Sequence, residues 1–585
     1  MRTGLLSSHW AARAFADLDP ARVLFEDDDL IVVDKPAGAP CQAPDAARPD
    51  DLPLRIKRML AARRSVPIDQ VYLGTHQRLD QDSSGAILYT LRPAANASLA
   101  EQFRERRVEK RYLAAVSGRP PEAGLRLEHH LARGADGRMR VASSGALAIT
   151  RVRSVMTQHP RSLLRLQIDT GRTHQIRAQL AEHGCPLLGD PLYGGPPAFR
   201  TYLHAEELCF AHPRDGRSIS ISAPPPVEFD DYLRHGARPA FADPALLASA
   251  IDHACQRRFA LGRALLAGDT SVFRLLHEEA DGVPGCGVDV YDEWLVLREV
   301  ADVASEDEAA LLRGLERLGV AGVYIKRHPK QANELTQGRD ERVAPDAPVL
   351  GREAPETLEV YEHEVPFEVR LHDGLRTGLF LDQRDNRRRV AELAGGKRVL
   401  NLFAYTGSFS VAALAHGATF VTTVDVSRAA LAWAERNVAR IDASDRHRTL
   451  ARDAFEALEI AAARGERFDL IIVDPPSYST TKRGRFRVTK DYVDLCRAAF
   501  GVLSKRGVLL ACLNHHGVSQ VGLRRFVQNA AEAAGVSLRT LTDLPTQSDF
   551  PLVAGADAPA KSVLAWIQDA DDLPRKPARN PKRRA

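Results

Sequence analysis

The period of apolar positions changes repeatedly along this chain, and the changes mark its elements. Residues 23–33, VLFEDDDLIVV, set a charged turn between two strand-like runs, and Pro36 and Gly38 end the second run. Residues 51–64 switch to a helical pattern: Leu52, Leu54, Ile56 and Leu60 share one side, while Lys57, Arg58, Arg63 and Arg64 take the others. Strand runs return at 86–89 and within 108–118, a helix carries Arg177 and His183, and the prolines at 224–226 stop the last strand of this half. A polar, proline-bearing stretch at 234–244 reads as a linker. Beyond it the pattern predicts one Ala/Leu-rich helix over 245–268, strands within 270–300, a helix at 309–318 and a strand at 323–327. A strand pair is expected at 360–371. Residues 399–410, VLNLFAYTGSFS, then read as strand, glycine turn and helix in immediate succession.

At 585 residues the chain is long enough for three or four units, and 44% hydrophobic with 27% charged residues describes soluble globular protein. No run of about 18 apolar residues occurs, so no membrane span is expected. The N-terminus lacks the charged head and apolar core of a secretory signal; its Arg- and Ser-bearing start, acid-free until Asp17, is only faintly like a transit peptide. Seven scattered cysteines fit a reducing cytoplasm without a disulfide frame, and no Cys/His spacing suggests a metal site. The net charge of +4 excludes a polycation, but the basic residues cluster: Arg104, Arg106, Arg107, Lys110 and Arg111 form one run, and Arg575 to Arg584 form a tail.

Strand, glycine turn, helix is how a doubly wound α/β domain opens a nucleotide site, because glycine lets the backbone approach the ligand and the helix start offers free N–H groups. The turn gains weight from three segments downstream: VDVS at 424–427, RDA at 452–454 and DPPSY at 474–478. In this reading Phe403, Tyr405, Thr406 and Gly407 wrap the cofactor, Asp425 at the end of the second strand accepts the ribose hydroxyls, and Asp453 meets the adenine amino group. Pro475 and Pro476 fix the loop, so that Asp474 projects at a strand end, and Tyr478 is placed to stack on a base. The arrangement points to S-adenosylmethionine as cofactor.

Together with residues 374–387, GLRTGLFLDQRDNR, these motifs resemble the class I methyltransferases of the RlmI and RlmK type, over about 245–570. The 374–387 segment is expected to form a lid and helix start, with Leu379, Phe380 and Leu381 in the core. The resemblance implies a small α/β module ahead of the catalytic domain and methylation of ribosomal RNA. In that module, RNA contact through Lys326, Arg327 and Lys330 and plain surface charge are equally open. Methylation at cytosine C5 needs a cysteine to add to the ring. Where the family's cytosine members carry it, the register of VLLACLNHH at 508–516 puts Asn514, with Cys512 two residues early. That favours nitrogen methylation, with guanine N7 as the target, because a lone-pair nucleophile needs little beyond positioning. Residues 486–492, FRVTKDY, resemble the guanine members, and cytosine C5 is the alternative.

In the first half, THQRLDQDSSGAIL at 75–88, VEKRYLAAVSG at 108–118, IDTGRTHQIRAQLAEHGCPLLGDPLYGG at 168–195 and YLHA at 202–205 come in the order found in the RluA family of RNA pseudouridine synthases. The resemblance spans about 20–235. It implies that Asp80 is the catalytic acid, that Tyr112 lies against the target base and that Arg177 pairs with the acid. The chemistry suits these residue types: a flipped uridine is detached from its sugar and rejoined through carbon, a carboxylate is the nucleophile or base, and an arginine holds it ionised. No cofactor or metal is implied. Gln77 stands where the family has histidine, with His76 one place earlier, and Ser83 replaces threonine.

The expectation is therefore an α+β synthase domain with a mixed, largely antiparallel sheet at 1–235, a linker and small α/β RNA-binding-like module at 236–350, a Rossmann-like methyltransferase at 351–570 and a disordered basic tail at 571–585. Its partner would be RNA, specifically 23S ribosomal RNA or a large-subunit precursor; oligomeric state is not readable. Two other readings remain open: one head inactive and acting as an RNA-binding assembly module, for which Gln77 is the feature to weigh, and methylation of a protein or small molecule, against which the basic runs argue.

Overall fold

The computed structural model describes residues 9–43, 50–328, 340–476, 478–481, 484–553, 558 and 560–568, without the side chains of 478–485. The tail at 571–585 and Lys330 lie outside the described residues. Two compact units result: residues 1–354 with 372–375 and 551–555, and residues 355–371 with 376–550 and 556–585.

Among the described residues the first unit holds an eleven-stranded mixed sheet and a five-stranded one. In the larger sheet the central neighbours Ser84–Thr90 and Leu203–Ala211 run parallel, while the other pairings are antiparallel. The parallel contact is close. A Cβ on Gly85, at φ +111°, would lie 2.3 Å from the Ala205 carbonyl oxygen, so only glycine fits there. That contact fixes the C-terminal end of the loop at 80–83. The helix Leu52–Arg64 starts where Asp51 accepts a hydrogen bond from the Leu54 amide, with proline at its first turn. Its Leu52, Ile56 and Leu60 pack against Ile31, Val33 and Ile87 of the sheet. Leu54, expected on that side, is only partly buried.

The five-stranded sheet runs from Val272–His277 through Cys286–Tyr291, Trp294–Glu299 and Gly322–Arg327 to Leu350–Gly351. Its core includes residues from the chain's first described turns, Trp10 and Phe15, together with Leu246, Leu247 and Phe259. The single helix expected over 245–268 is two, Pro244–Arg257 and Phe259–Ala267. The break falls at Arg258, which is buried and turned inward: it grips Asp281 at 3.1 and 2.6 Å and donates to the Arg274 carbonyl at 2.7 Å. Lys326, weighed as an RNA contact or surface charge, is buried, and Arg327 is held by Glu299 and Glu308 at 3.0 and 2.7 Å; neither reading of Lys326 fits.

The second unit carries a seven-stranded sheet in the order His447–Ala451, Phe420–Asp425, Arg398–Leu402, Phe468–Val473, Leu503–Asn514, Ala560–Ile567, Leu538–Asp543. The first five strands are parallel and the last two pairings antiparallel. The order reverses between Arg398–Leu402 and Phe468–Val473, and ligands of such sheets bind beyond the strand ends at that switch point. Among the described residues no helix is long and apolar enough to cross a membrane.

Candidate active sites

In the first unit a cavity of about 910 Å³ is lined by Asp80, Tyr112 and Arg177 together, with Leu79, His174 and Ile176. Its rim is basic: Arg78, Arg104, Arg106, Lys110, Arg133 and Arg172 all face it. Asp80 comes after the short strand Gly74–Thr75 and precedes Ser84–Thr90, on a turn closed by the Ser83 amide to the Asp80 carbonyl at 3.1 Å. Arg177 comes from the helix Gln175–Glu182, whose Gln175 and Gln179 are buried in hydrogen bonds to Thr170, Thr150 and neighbouring carbonyls. That network anchors the helix, so Arg177 reaches the cavity from a fixed base. Its Nη1 donates to Asp80 Oδ2 at 3.1 Å, and its Nε and Nη2 donate to Asp190 at 2.7 and 2.8 Å. Burial works against its charge, but the Asp190 and Asp80 carboxylates override that and hold it firmly protonated, above its ordinary value.

Tyr112, on the strand Glu109–Val116, is buried. Burial, and then the Asp80 charge, push its hydroxyl above the usual tyrosine range, so the ring stays neutral. A neutral aromatic face beside a carboxylate suits a planar, uncharged base. His174 Nε2 stands 3.9 Å from Asp80, its Nδ1 3.1 Å from the Tyr193 hydroxyl. His76 also lines the cavity, where it stacks on Phe103 and approaches Thr90 Oγ1 at 3.4 Å. Gln77 lines the cavity, and its buried Nε2 has no hydrogen-bond partner among the described residues. Sequence reasoning missed Asp190. Its signal was an acid inside an otherwise apolar, glycine-rich LLGDPLYGG segment, where a buried charge needs a cation.

In the second unit the glycine turn at 403–407 leaves the strand Arg398–Leu402 through left-handed backbone at Phe403, Tyr405 and Gly407. At Gly407, φ +75°, a Cβ would lie 2.7 Å from that of Ala434, so the turn has no room for a side chain. Thr406 Oγ1 donates to the Gly378 carbonyl at 2.6 Å, and the Asn437 amide to the Thr406 carbonyl at 3.0 Å. Asp425, ending the neighbouring strand, accepts the Tyr405 and Ser427 amides at 2.8 and 2.9 Å. Each of its oxygens keeps a lone pair for a hydroxyl. Exposed Val426 comes next as an apolar face. A backbone kept bare by packing, an acid at the second strand's end and an apolar neighbour fit an adenosyl group. Asp453 caps the helix Ala454–Ala463 through the Phe455 amide at 3.0 Å.

Asp474 stands at the end of Phe468–Val473, across the switch point from the glycine turn. Burial, with Asp382 adding to it and Arg387 opposing, pushes its carboxyl up to about 7. Gln383 donates to it at 3.2 Å and is itself held by Asn386 at 2.5 Å. Gln383 was not among the expected site residues; it sits in the LDQR segment, where only the apolar positions attracted attention. That segment is a loop and short 3₁₀ turn before the helix Arg384–Ala394. Leu379 and Leu381 are buried as expected, but Phe380 is 43% exposed and packs on Tyr405, ring centroids 5.3 Å apart. It leaves the core because Arg387 seizes its carbonyl at 2.8 Å and turns the chain outward. The backbone of Tyr478 lies in a strand, but its side chain lies outside the described residues.

Residues 285–565 match the family described as S-adenosylmethionine-dependent methyltransferase, and residues 29–182 that described as RNA pseudouridylate synthase. The methyltransferase match thus begins inside the five-stranded sheet. The chain is 34% identical over 345 residues to a ribosomal RNA large subunit methyltransferase of Deinococcus radiodurans, covering 57% of this chain and 82% of that protein. It is 32% identical over 289 residues to ribosomal RNA large subunit methyltransferase I of Escherichia coli K12, covering 48% of this chain and 70% of that protein.

Proposed function

The chain belongs to the family of the ribosomal RNA large-subunit methyltransferases and carries an RNA pseudouridylate synthase domain ahead of it, and from that premise we propose a two-headed enzyme acting on 23S ribosomal RNA in the cytoplasm. We read residues 1–235 as the synthase, 236–350 as an RNA-contacting module and 351–570 as the methyltransferase.

In the synthase, Asp80 is the reacting carboxylate. The N1–C1′ bond of a flipped uridine breaks, the uracil turns against Tyr112, and C5 joins C1′. The C5 proton leaves to solvent and N1 gains one, so the reaction is an isomerisation. Arg177 aims and neutralises Asp80, and the basic rim takes the phosphates.

In the methyltransferase, Phe403, Tyr405, Thr406, Gly407 and Asp425 hold S-adenosylmethionine, with Asp453 towards its adenine, and the bound cofactor supplies a sulfonium methyl group. Asp474 and Tyr478 position the base. The base is guanine, methylated at N7, and one observation carries this choice. A carbon reaction needs a thiolate at the ring. The described cysteines of the second unit, Cys496 and Cys512, are both buried, and burial pushes both thiols far above the usual range. Cys512 is tied inside the sheet, accepting from Ser562 at 3.4 Å, while Asn514 ends the strand. N7 needs no such nucleophile: its lone pair takes the methyl group, and no proton has to leave.

Mass spectrometry of ribosomal RNA from cells lacking the gene tests both halves. Loss of one pseudouridine and one 7-methylguanosine is expected. Loss of 5-methylcytidine instead overturns the guanine assignment, and an unchanged pseudouridine content overturns the synthase assignment.

A further inference from the structure

The helix Pro244–Arg257 lies downstream of the synthase sheet and ahead of the five-stranded one, yet its inner face meets the synthase at the loop that bears Asp80. His253 Nε2 is 3.4 Å from Asp82 Oδ1, two residues beyond Asp80. The His253 ring is buried, and its Nδ1 has no hydrogen-bond partner among the described residues, so the Asp82 contact is its polar anchor. A second layer runs parallel to this bond. Gly38 donates its amide to the Gln81 carbonyl at 2.9 Å and receives the Gln81 side-chain amide at 3.1 Å. On its other side Gly38 is in contact with the same helix: a Cβ there, at φ +89°, would lie 3.0 Å from the His253 carbonyl oxygen. Arg55 completes the join, donating to Gln256 Oε1 at 2.6 Å with its guanidinium 3.6 Å from the Phe259 ring centroid. The reacting loop is thus held between the sheet and a helix that the synthase fold does not itself supply.

We propose that this helix is a positioning element of the synthase active site, and that His253 sets the attitude of Asp80 through its hydrogen bond to Asp82. The turn from Asp80 to Ser83 is closed by a single backbone hydrogen bond, so the angle at which Asp80 meets Arg177 depends on what pins residues 81 and 82. Gly38 and the buried Lys35, whose Nζ donates to the Gln81 carbonyl at 2.8 Å, pin the first, and His253 pins the second. A displacement of about 1 Å at a reacting group costs on the order of 100-fold in rate, so a partial loosening is visible in turnover before it is visible in folding. The two heads are then linked: the segment that joins them is also a working part of the first.

The inference rests on Asp80 being the reacting carboxylate, and the experiment separates the two. Tritium release from [5-³H]uridine RNA is measured on the full chain for Asp80→Asn, His253→Ala, His253→Gln, Asp82→Ala and the His253→Ala/Asp82→Ala double variant. If Asp80→Asn retains release, the catalytic assignment fails. With that variant inactive, His253→Ala is expected to lower kcat about 10-fold with KM within about twofold, a loss well inside the range for misplaced groups. His253→Gln, whose amide keeps a donor, is expected to recover most of it. The double variant is expected to be no slower than the slower single one, as for two residues that act as a unit. Wild-type turnover in His253→Ala, equal loss in His253→Gln, a change confined to KM, or additive losses in the double variant each overturn the proposal. Methyl transfer by the same samples, expected unchanged, reports folding of the second unit, and an unchanged urea-unfolding midpoint of the first unit reports that the synthase is folded.

Discussion

Arg177 and Asp80 are joined by one hydrogen bond of 3.1 Å, on a guanidinium whose Nε and Nη2 donate to Asp190 at 2.7 and 2.8 Å. The geometry uses the planar fork of arginine, since three donors are aimed at two acids in different directions. A lysine offers a point charge and cannot serve both. Arg177→Lys is expected to lower kcat for tritium release about 100-fold, the scale for a misplaced reacting group, and to leave methyl transfer intact. Single-turnover assays on both activities check this; release within about threefold of wild type counts against Arg177 as the partner of Asp80.

Asp425 makes two hydrogen bonds to backbone amides and is expected to make two more to ribose hydroxyls. Hydrogen bonds to a charged group contribute about 1.5–3 kcal/mol each, so losing two is expected to weaken S-adenosylmethionine binding in Asp425→Ala on the order of 100- to 10,000-fold. Titration calorimetry reads it directly. An unchanged Kd removes Asp425 from the cofactor site.

Cys512 is buried within the sheet and bonded by Ser562, so its role is packing. Cys512→Ala is expected to keep methyl transfer within about twofold while lowering stability by about 1 kcal/mol, the central value for single substitutions. Abolished transfer with a folded chain revives the cytosine reading.

His204 gives the synthase unit an acid limit. Its Nδ1 faces Ser84 Oγ at 2.8 Å and its Nε2 faces the Ala223 carbonyl at 3.2 Å, all buried. Burial drives its pKa from 6.5 down to about 4, and the Ala223 carbonyl only partly offsets this. Between these values the unfolded chain binds the proton that the folded chain refuses. Stability is therefore whole above pH 6.5 and falls as pH drops towards 4. A shift of this size corresponds to roughly 3 kcal/mol. Urea unfolding from pH 7 to 4.5 is expected to show the decline, with a shallower slope in His204→Gln. Parallel slopes in the two proteins exclude His204 as the source.

Much of this was legible in the sequence, for physical reasons that differ by element. The glycine turn at 403–407 announces itself because left-handed backbone and a close approach leave one residue type possible at Gly407. The acids at 80 and 425 were legible as members of ordered motifs. What escaped were side chains whose meaning depends on a partner far along the chain. Asp190 signals locally that it needs a cation but not which one, and Gln383 carries no local sign of the carboxylate it meets. Arg258 ends a helix that periodicity continues, because its partner is Asp281. Phe380 looks like core by pattern and lies at the surface because Arg387 holds its carbonyl. The docking of 244–257 against the Asp80 loop was equally invisible, since strand and helix patterns show where elements lie and not which face meets which.

The double grip on Arg177 bears on how turnover can restart. If Asp80 is the reacting carboxylate proposed above, then when it surrenders its negative charge the guanidinium still rests against Asp190 and is not left as an uncompensated cation in a buried place. The electrostatic footing of the cavity therefore stays nearly constant from one stage of the cycle to the next, and the empty enzyme recovers its starting charge arrangement without moving the arginine.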